Sequence, residues 1–299
     1  MRKILSIIVA LFLVSMIWYL FLKPQDYQVS FNARTIPGTI YESVKAWNRT
    51  LDSFAPVEFE SPTHFTQKIF ANDSVHLYDW EITKVHDSLS KVTVNIKDEE
   101  NSLQNKLDVI FPDNNFEKGS RKRLISFNEF LNDHLKKFKV SGIEQAETFT
   151  TFCACVFLKT APEQKAAGIM ANYPFLNSIL FENDVKLNGP PFVEVLDWDL
   201  KKDSLSYNFC YPIIRSEKLP EHPSITYKRI FQKNALKTIY NGNYITSDRA
   251  WYYLLDYAKE HNIPVEEKPI EVFYNNPNMG GDELEWKTEV YIPLKETDE

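Results

Sequence analysis

Near the end of the chain, Thr288–Glu289–Val290–Tyr291–Ile292–Pro293 sets one acid into a run that otherwise reads as a strand. Alternation sends Glu289 and Tyr291 to one face and Thr288, Val290 and Ile292 to the other. A carboxylate among Trp and Tyr rings can pair with a cation that also stacks on those rings. The same carboxylate, desolvated, would have a raised pKa suited to general-base work. No nucleophile accompanies it in the sequence.

Other reactive side chains form no pattern. Cys153, Cys155 and Cys210 allow at most one disulfide. Cys153 and Cys155 are alternate residues of an apparent strand, so they share a face and read as small buried hydrophobes. A C-x-C without a second pair or a histidine partner is a weak metal signal. The six histidines are scattered, and the eight glycines build no phosphate-cradling loop. No G-x-S-x-G elbow is present. Catalytic residues, metal ligands and cofactors are therefore all assigned as none. A net charge of −7 gives no basic face for nucleic acid, so the expected partners are a small organic ligand and a membrane.

The membrane enters through Ile4 to Leu22, an uncharged run broken only by Ser6 and Ser15. As a helix it would span about 28 Å, close to the hydrocarbon thickness of a bilayer. Trp18 and Tyr19 lie near one end, where amphipathic rings favour the interface. The bulky residues that follow argue against signal cleavage. Arg2 and Lys3 before the run, against Lys23 after it, keep the N-terminus cytoplasmic and send the remainder outside, to the periplasm.

Beyond the anchor, Tyr27, Val29, Phe31 and Ala33 alternate as a strand, and Pro37 opens a helix carrying Ile40, Val44 and Trp47. Strands are expected over 65–70, 75–85, 91–97 and 103–111, with hairpin turns at Asn72–Asp73 and His86–Asp87–Ser88. A helix from Phe116 to Lys139 carries Leu124, Phe127, Leu131, Leu135 and Phe138 on one face. This order, with Phe31, Ala33, Trp47 and Trp80, resembles the helix-grip fold of START-like, polyketide-cyclase-type (SRPBCC) ligand carriers. The resemblance implies a curved sheet wrapping the last helix around an apolar cavity.

After Ser141–Gly142 the chain repeats itself. The first copy reads as a strand over 147–158, Ala171–Asn172–Tyr173, a helix, and strands over 192–198 and 206–214. The second reads as a strand over 224–232, Gly242–Asn243–Tyr244, a helix, and strands over 270–274 and 287–294. Both close on a proline, in Cys210–Tyr211–Pro212–Ile213 and Tyr291–Ile292–Pro293–Leu294. The residues Gly242–Asn243–Tyr244, Ala250–Trp251, Leu254, Tyr257, Pro269–Ile270–Glu271–Val272–Phe273, Asn276–Pro277 and Trp286 to Pro293 resemble the gyrase-inhibitor-like (GyrI-like) effector-binding domain of AraC-type and multidrug-sensing regulators.

That resemblance implies an aromatic-walled pocket between the repeats, with Glu289 as its acid and Trp251, Tyr244, Phe273 and Tyr291 around it. Phe273 stands where the family commonly has tyrosine, and Asn208 holds the position matching Glu289 in the first repeat. No DNA-binding helix pair precedes the domain, so the activator role of some relatives does not carry over.

The expected fold is α+β: a transmembrane anchor (1–23), a START-like helix-grip antiparallel sheet with a long closing helix (24–140), and a pseudo-twofold duplicated strand–helix–hairpin domain (141–299). The expected function is membrane-anchored binding or sensing of an organic, cationic or lipophilic molecule. The alternatives are a hydrolase of small reactive organic compounds with Glu289 as general base, and a partner-binding module without a small ligand.

Overall fold

The computed structural model describes residues 2–71, 74–108, 115–275 and 277–296. The chain divides into two units, Met1–His134 and Leu135–Glu299.

The first unit starts with α1 (Arg2–Ile17), extended by one π-helical turn over Trp18–Leu22. Lys3–Leu22 has a mean hydropathy of 2.6 and is 0% buried, so length and composition suit it to crossing a membrane; a signal sequence has the same character. The last carbonyls of a helix lack intrahelical partners. Here Lys106 meets them: its Nζ donates to Lys23 O at 2.6 Å and Leu20 O at 3.3 Å. Tyr19 donates its hydroxyl to Lys106 O at 3.2 Å. A cation at the negative end of a helix is favourable, which offsets the burial of this ammonium. Asp26, itself buried, lies 3.7 Å from the same Nζ.

Next come β1 (Tyr27–Ala33) and α2 (Pro37–Asn48), with proline in the first helical turn. The strands β2 (Glu58–Ser61), β3 (His64–Ala71), β4 (Ser74–His86) and β5 (Leu89–Asp98) follow. All pair antiparallel in the order β1–β5–β4–β3–β2. β2 escapes a sequence reading because its four residues contain one apolar side chain, Phe59, too little for a period-two signal.

The strand expected over 103–111 is corrected: Ser102–Asp108 forms helix α3. Leu103 and Leu107 satisfy helical spacing as well as alternation. Asp98 Oδ1 also accepts the backbone N–H groups of Glu100 and Asn101, at 3.0 and 2.9 Å, and so turns the chain out of β5. Val109, Phe111 and the expected turn at Asn72–Asp73 lie outside the described residues. The closing helix α4 (Asn115–Leu135) stops short of Lys139. Its Phe127 meets Trp47 and Trp80 edge-on, at 5.5 and 5.0 Å between centroids, so rings occupy the space between helix and sheet.

The second unit runs β6 (Phe138–Val140), β7 (Glu144–Glu147), β8 (Thr151–Thr160), α5 (Lys165–Glu182), β9 (Phe192–Asp199), β10 (Ser204–Pro212), β11 (Thr226–Ile230), β12 (Asn234–Gly242), α6 (Arg249–Glu260), β13 (Ile270–Phe273) and β14 (Lys287–Pro293). One sheet contains all its strands, in the order β11–β8–β10–β9–β13–β14–β12–β6, with β7 also on β12. The order is mirrored about the β9–β13 seam, as a duplication requires. Register makes the equivalence residue by residue. Asn208 opposes Glu194 and Glu289 opposes Val272, while Ile270–Glu194 and Val272–Phe192 flank the centre of the seam. Asn208 and Glu289 therefore hold corresponding places.

The two copies also exchange their leading strands. β7, which precedes the first copy, pairs with β12 of the second. β11, which precedes the second, pairs with β8 of the first. This corrects the repeat boundaries: 224–232 is the exchanged strand, and the second copy proper begins at β12. The first copy's opening strand is β8, with the expected 147–158 divided between β7 and β8. Ala171–Asn172–Tyr173 does not precede a helix. It lies inside α5, next to Pro174 within the same helix.

Helices α5 and α6 cover one face of the sheet, over Ala154, Val156, Val193, Phe209, Leu236, Val290 and Ile292. The other face carries a smaller cluster of Cys153, Cys155, Phe192, Cys210, Val272 and Tyr291. At the end of β12, Gly242 has φ +156°, and a Cβ there would lie 2.7 Å from Phe138 Cβ and 2.6 Å from the Tyr240 hydroxyl. Only glycine admits that approach.

Candidate functional site

Residues expected in one pocket fall on both sides of the sheet. Tyr244 and Phe273 lie on the helical face, with ring centroids 4.8 Å apart. They join Ile169, Met170 and Tyr173 of α5 and Phe209 of β10 around a cleft of 190 Å³. Asn243 places Tyr244 there: its Oδ1 accepts the Ile245 N–H at 3.0 Å and caps a short 3-10 turn. The Tyr244 hydroxyl donates to Asn275 O at 2.9 Å and accepts from Asn275 N at 3.0 Å. Burial pushes this phenol up to about 12, so it stays neutral. The cleft takes walls from both copies.

Trp251, expected as a pocket wall, is instead fully buried in the core. Its indole Nε1 donates to Glu271 Oε1 at 2.8 Å. Lys165 Nζ donates to both Glu271 oxygens at 2.7 Å and to Ser247 Oγ at 2.8 Å, and lies 4.5 Å over the Trp251 ring. This pair passed unnoticed in the sequence. Glu271, alone between apolar Ile270 and Val272, was the available signal.

Glu289 and Tyr291 do share the opposite face. Glu289 Oε2 accepts the hydroxyls of Tyr291 at 2.8 Å and Tyr274 at 2.9 Å. Its Oε1 lies 2.9 Å from Lys287 Nζ and 3.2 Å from Lys237 Nζ. Those ammonium groups sit 4.4 Å over Tyr274 and 5.5 Å over Tyr291. The position foreseen for a ligand cation on Tyr rings is thus taken by the protein's own lysines. Burial pushes the carboxyl up, but bonds from Lys287, Tyr291, Tyr274 and Lys237 outweigh it and hold Glu289 at about 2. That is opposite to the raised pKa expected of a general base. Tyr274 in turn is pushed up to about 12 by burial and by Glu289. The cluster borders a hollow of 330 Å³ reaching Phe149, Gly189, Pro190 and Pro212. Tyr274 was missed. The hydroxyl counted as absent at Phe273 is present one residue later, on the other face.

Asn208 does not reach this hollow. Its Nδ2 donates to Glu194 Oε2 at 2.9 Å, and Glu194 is paired with Lys228. Nearby, Cys155 and Cys210, directly opposed on β8 and β10, form a disulfide. The reading of Cys155 as a plain buried hydrophobe is corrected, and the one disulfide that three cysteines allow is Cys155–Cys210. Cys153 is free and buried, and burial pushes its thiol up to about 12.

Residues 156–295 match the family model of the GyrI-like small molecule binding domain. Solved structures with similarity to the chain include the C-terminal domain of EcmrR, at 17% identity and a TM-score of 0.46, covering 54% of this chain and 99% of that one. A hydrolase encoded by lin2189 from Listeria innocua aligns at 12% identity and a TM-score of 0.34, covering 51% and 91%. SAV2435 bound to tetraphenylphosphonium aligns at 10% identity and a TM-score of 0.37, covering 52% and 94%. No curated protein matches the chain.

Proposed function

We propose that the protein is a membrane-tethered receptor for a small, uncharged organic molecule, held in the cleft between the two C-terminal repeats. One observation carries this reading. The cleft draws apolar and aromatic walls from both copies, while the acid foreseen as a cation's partner lies across the sheet and is already paired with two lysines. A neutral, aromatic-sized ligand gains from burial against Tyr173, Tyr244 and Phe273 without displacing any ion pair. The GyrI-like match over 156–295 supports ligand binding as the task.

The tether is α1 with the turn that follows it, by their length and composition. Placement of the folded units outside the cytoplasm rests on the flanking charges and on the Cys155–Cys210 bond, which persists in oxidising compartments. The N-terminal unit is read as a helix-grip domain in which Phe127 packs against Trp47 and Trp80, while a 440 Å³ hollow bordered by His76, Asp98, Asn105, Phe116 and Arg123 lies in the same unit. The net charge of −7 speaks against a nucleic-acid partner.

A second reading keeps the ligand at Glu289, because an ionised carboxylate and two phenols face the 330 Å³ hollow. A cation binding there must take the place of Lys287 or Lys237. A base held near 2 accepts protons poorly at neutral pH, so hydrolysis through Glu289 is the weaker alternative.

The test is fluorescence titration and calorimetry on the full chain in detergent, with neutral N-phenyl-1-naphthylamine and cationic tetraphenylphosphonium as probes. Binding of the neutral probe that drops at least tenfold in Tyr244→Ala and survives in Glu289→Gln is expected. Cation binding lost only in Glu289→Gln establishes the second reading. Binding of neither probe removes the receptor proposal.

A further inference from the structure

The face of the sheet opposite α5 and α6 holds a group that the ligand cleft does not use. The sulfurs of Cys153, Cys155 and Cys210 lie within 4.8 Å of one another, with Cys153 and Cys155 sulfurs 3.5 Å apart. All three residues are buried, at 0%, 1% and 0% exposure. The backbone keeps them together: Cys155 opposes Cys210, and Pro212 opposes Cys153, along the same β8–β10 ladder. That ladder is a main-chain pairing that runs from Leu205–Thr160 to Pro212–Cys153. Three thiols from two paired strands make a preformed, three-coordinate, purely soft donor set, and among the described residues no histidine or carboxylate belongs to the group.

Charge selects the guest. Three thiolates around a univalent or divalent metal leave net negative charge among fully buried residues, which is costly. Lys228, the cation that acts on Cys153, is committed to Glu194. A trivalent thiophile escapes this cost, because its three sulfur bonds make a neutral product. The 330 Å³ hollow reaches Pro212, the residue opposite Cys153, while none of the three cysteines lines it.

We propose that, once the Cys155–Cys210 bond is reduced, Cys153, Cys155 and Cys210 capture a trivalent thiophilic metalloid, with arsenous acid as the probe. In the first step a dithiol reductant delivers two electrons and two protons to the disulfide, giving two cysteine thiols, and is itself oxidised to a disulfide. In the second step arsenous acid exchanges its three hydroxyls for three cysteine sulfurs. Three As–O and three S–H bonds break, three As–S bonds form, and three waters leave with no change of oxidation state. The disulfide is then the closed form of the site and reduction opens it. This inference is independent of what occupies the ligand cleft.

The experiment uses the full chain in detergent, reduced with a phosphine, which competes weakly for arsenic and is itself converted to its oxide. Intact mass after gel filtration is expected to rise by one arsenic less three hydrogens in the reduced protein and to stay unchanged in the unreduced protein. Cys153→Ser, which keeps the disulfide pair, is expected to lose the adduct. An adduct retained equally by Cys153→Ser, or none in reduced wild type, overturns the proposal. Loss of the circular dichroism spectrum on reduction overturns it too, since the site needs the ladder. Preference for silver(I) over arsenous acid in competition overturns the charge argument on which the choice of guest rests.

Discussion

Lys165, at the start of the first copy's helix, and Glu271, on the second copy's central strand, are joined at 2.7 Å with side chains 1% and 0% exposed. The bond crosses from one repeat to the other, and Ala166, next to Lys165, lines the 190 Å³ cleft. Such a pair contributes through what its loss would leave behind, since a lone buried charge is far costlier than the pair.

Glu271→Gln or Lys165→Met should each destabilise the C-terminal unit by about 3–5 kcal/mol. The double variant Lys165→Met with Glu271→Leu should recover most of that loss. Urea unfolding followed by tryptophan fluorescence measures both. Additive losses in the double variant would show that the two residues act separately.

Glu289 gives a pH signature. Its carboxyl is held at about 2, below the ordinary 4.5, so it binds protons more weakly folded than unfolded. Its stabilisation is therefore fully present above about pH 4.5 and is lost as pH falls from there toward 2. The wild type should lose stability over that interval more steeply than Glu289→Gln. Parallel curves for the two proteins would contradict the pairing with Lys287, Lys237 and the two phenols.

Gly242→Ala should cost about 1–3 kcal/mol, because the new methyl group meets Phe138 and Tyr240 at the end of β12. Thermal unfolding of the variant reads this directly. Adding Tyr240→Leu, which removes the phenol that the new methyl would meet at 2.6 Å, should restore none of the Gly242→Ala loss, measured against Tyr240→Leu alone, if backbone conformation dominates, and part of it if the contact does.

Lys106→Met should free the carbonyls of Leu20 and Lys23 and leave Asp26 without its cation. An unsatisfied buried polar group costs about 1–3 kcal/mol. Hydrogen exchange across Trp18–Asp26 should accelerate by at least tenfold, while exchange in β8–β10 stays unchanged. Unaltered exchange at the helix end would mean that Lys106 does not hold it.

Much of the fold was legible because its signals are local. The alternation of Val92, Val94 and Ile96 announces β5, and Pro37 announces α2. The matched prolines Pro212 and Pro293 revealed the duplication. Leu103 and Leu107 misled because a four-residue spacing fits two periods, and the deciding bonds come from Asp98, a neighbour that composition does not flag. Ala171–Asn172–Tyr173 misled because it matches Gly242–Asn243–Tyr244, whereas here the helix begins earlier, at Lys165, and includes it. The site was half legible. Glu289 and Tyr291 follow from alternation along one strand. Their separation from Tyr244 and Phe273 depends on which face each strand shows to α5 and α6, and the pairing with Lys237 depends on a strand fifty residues earlier in the chain.

The traded leading strands of the two repeats dictate an order of birth. When Pro212 leaves the ribosome, β8 still lacks its outer neighbour, which arrives only with Thr226–Ile230. Until then the nascent first half shows a bare sheet margin, and β7 has no β12 to rest against. Two chains synthesised side by side can satisfy each other's margins before their own second halves emerge. Intertwined dimers, rather than loose aggregates, are the misassembly this topology invites.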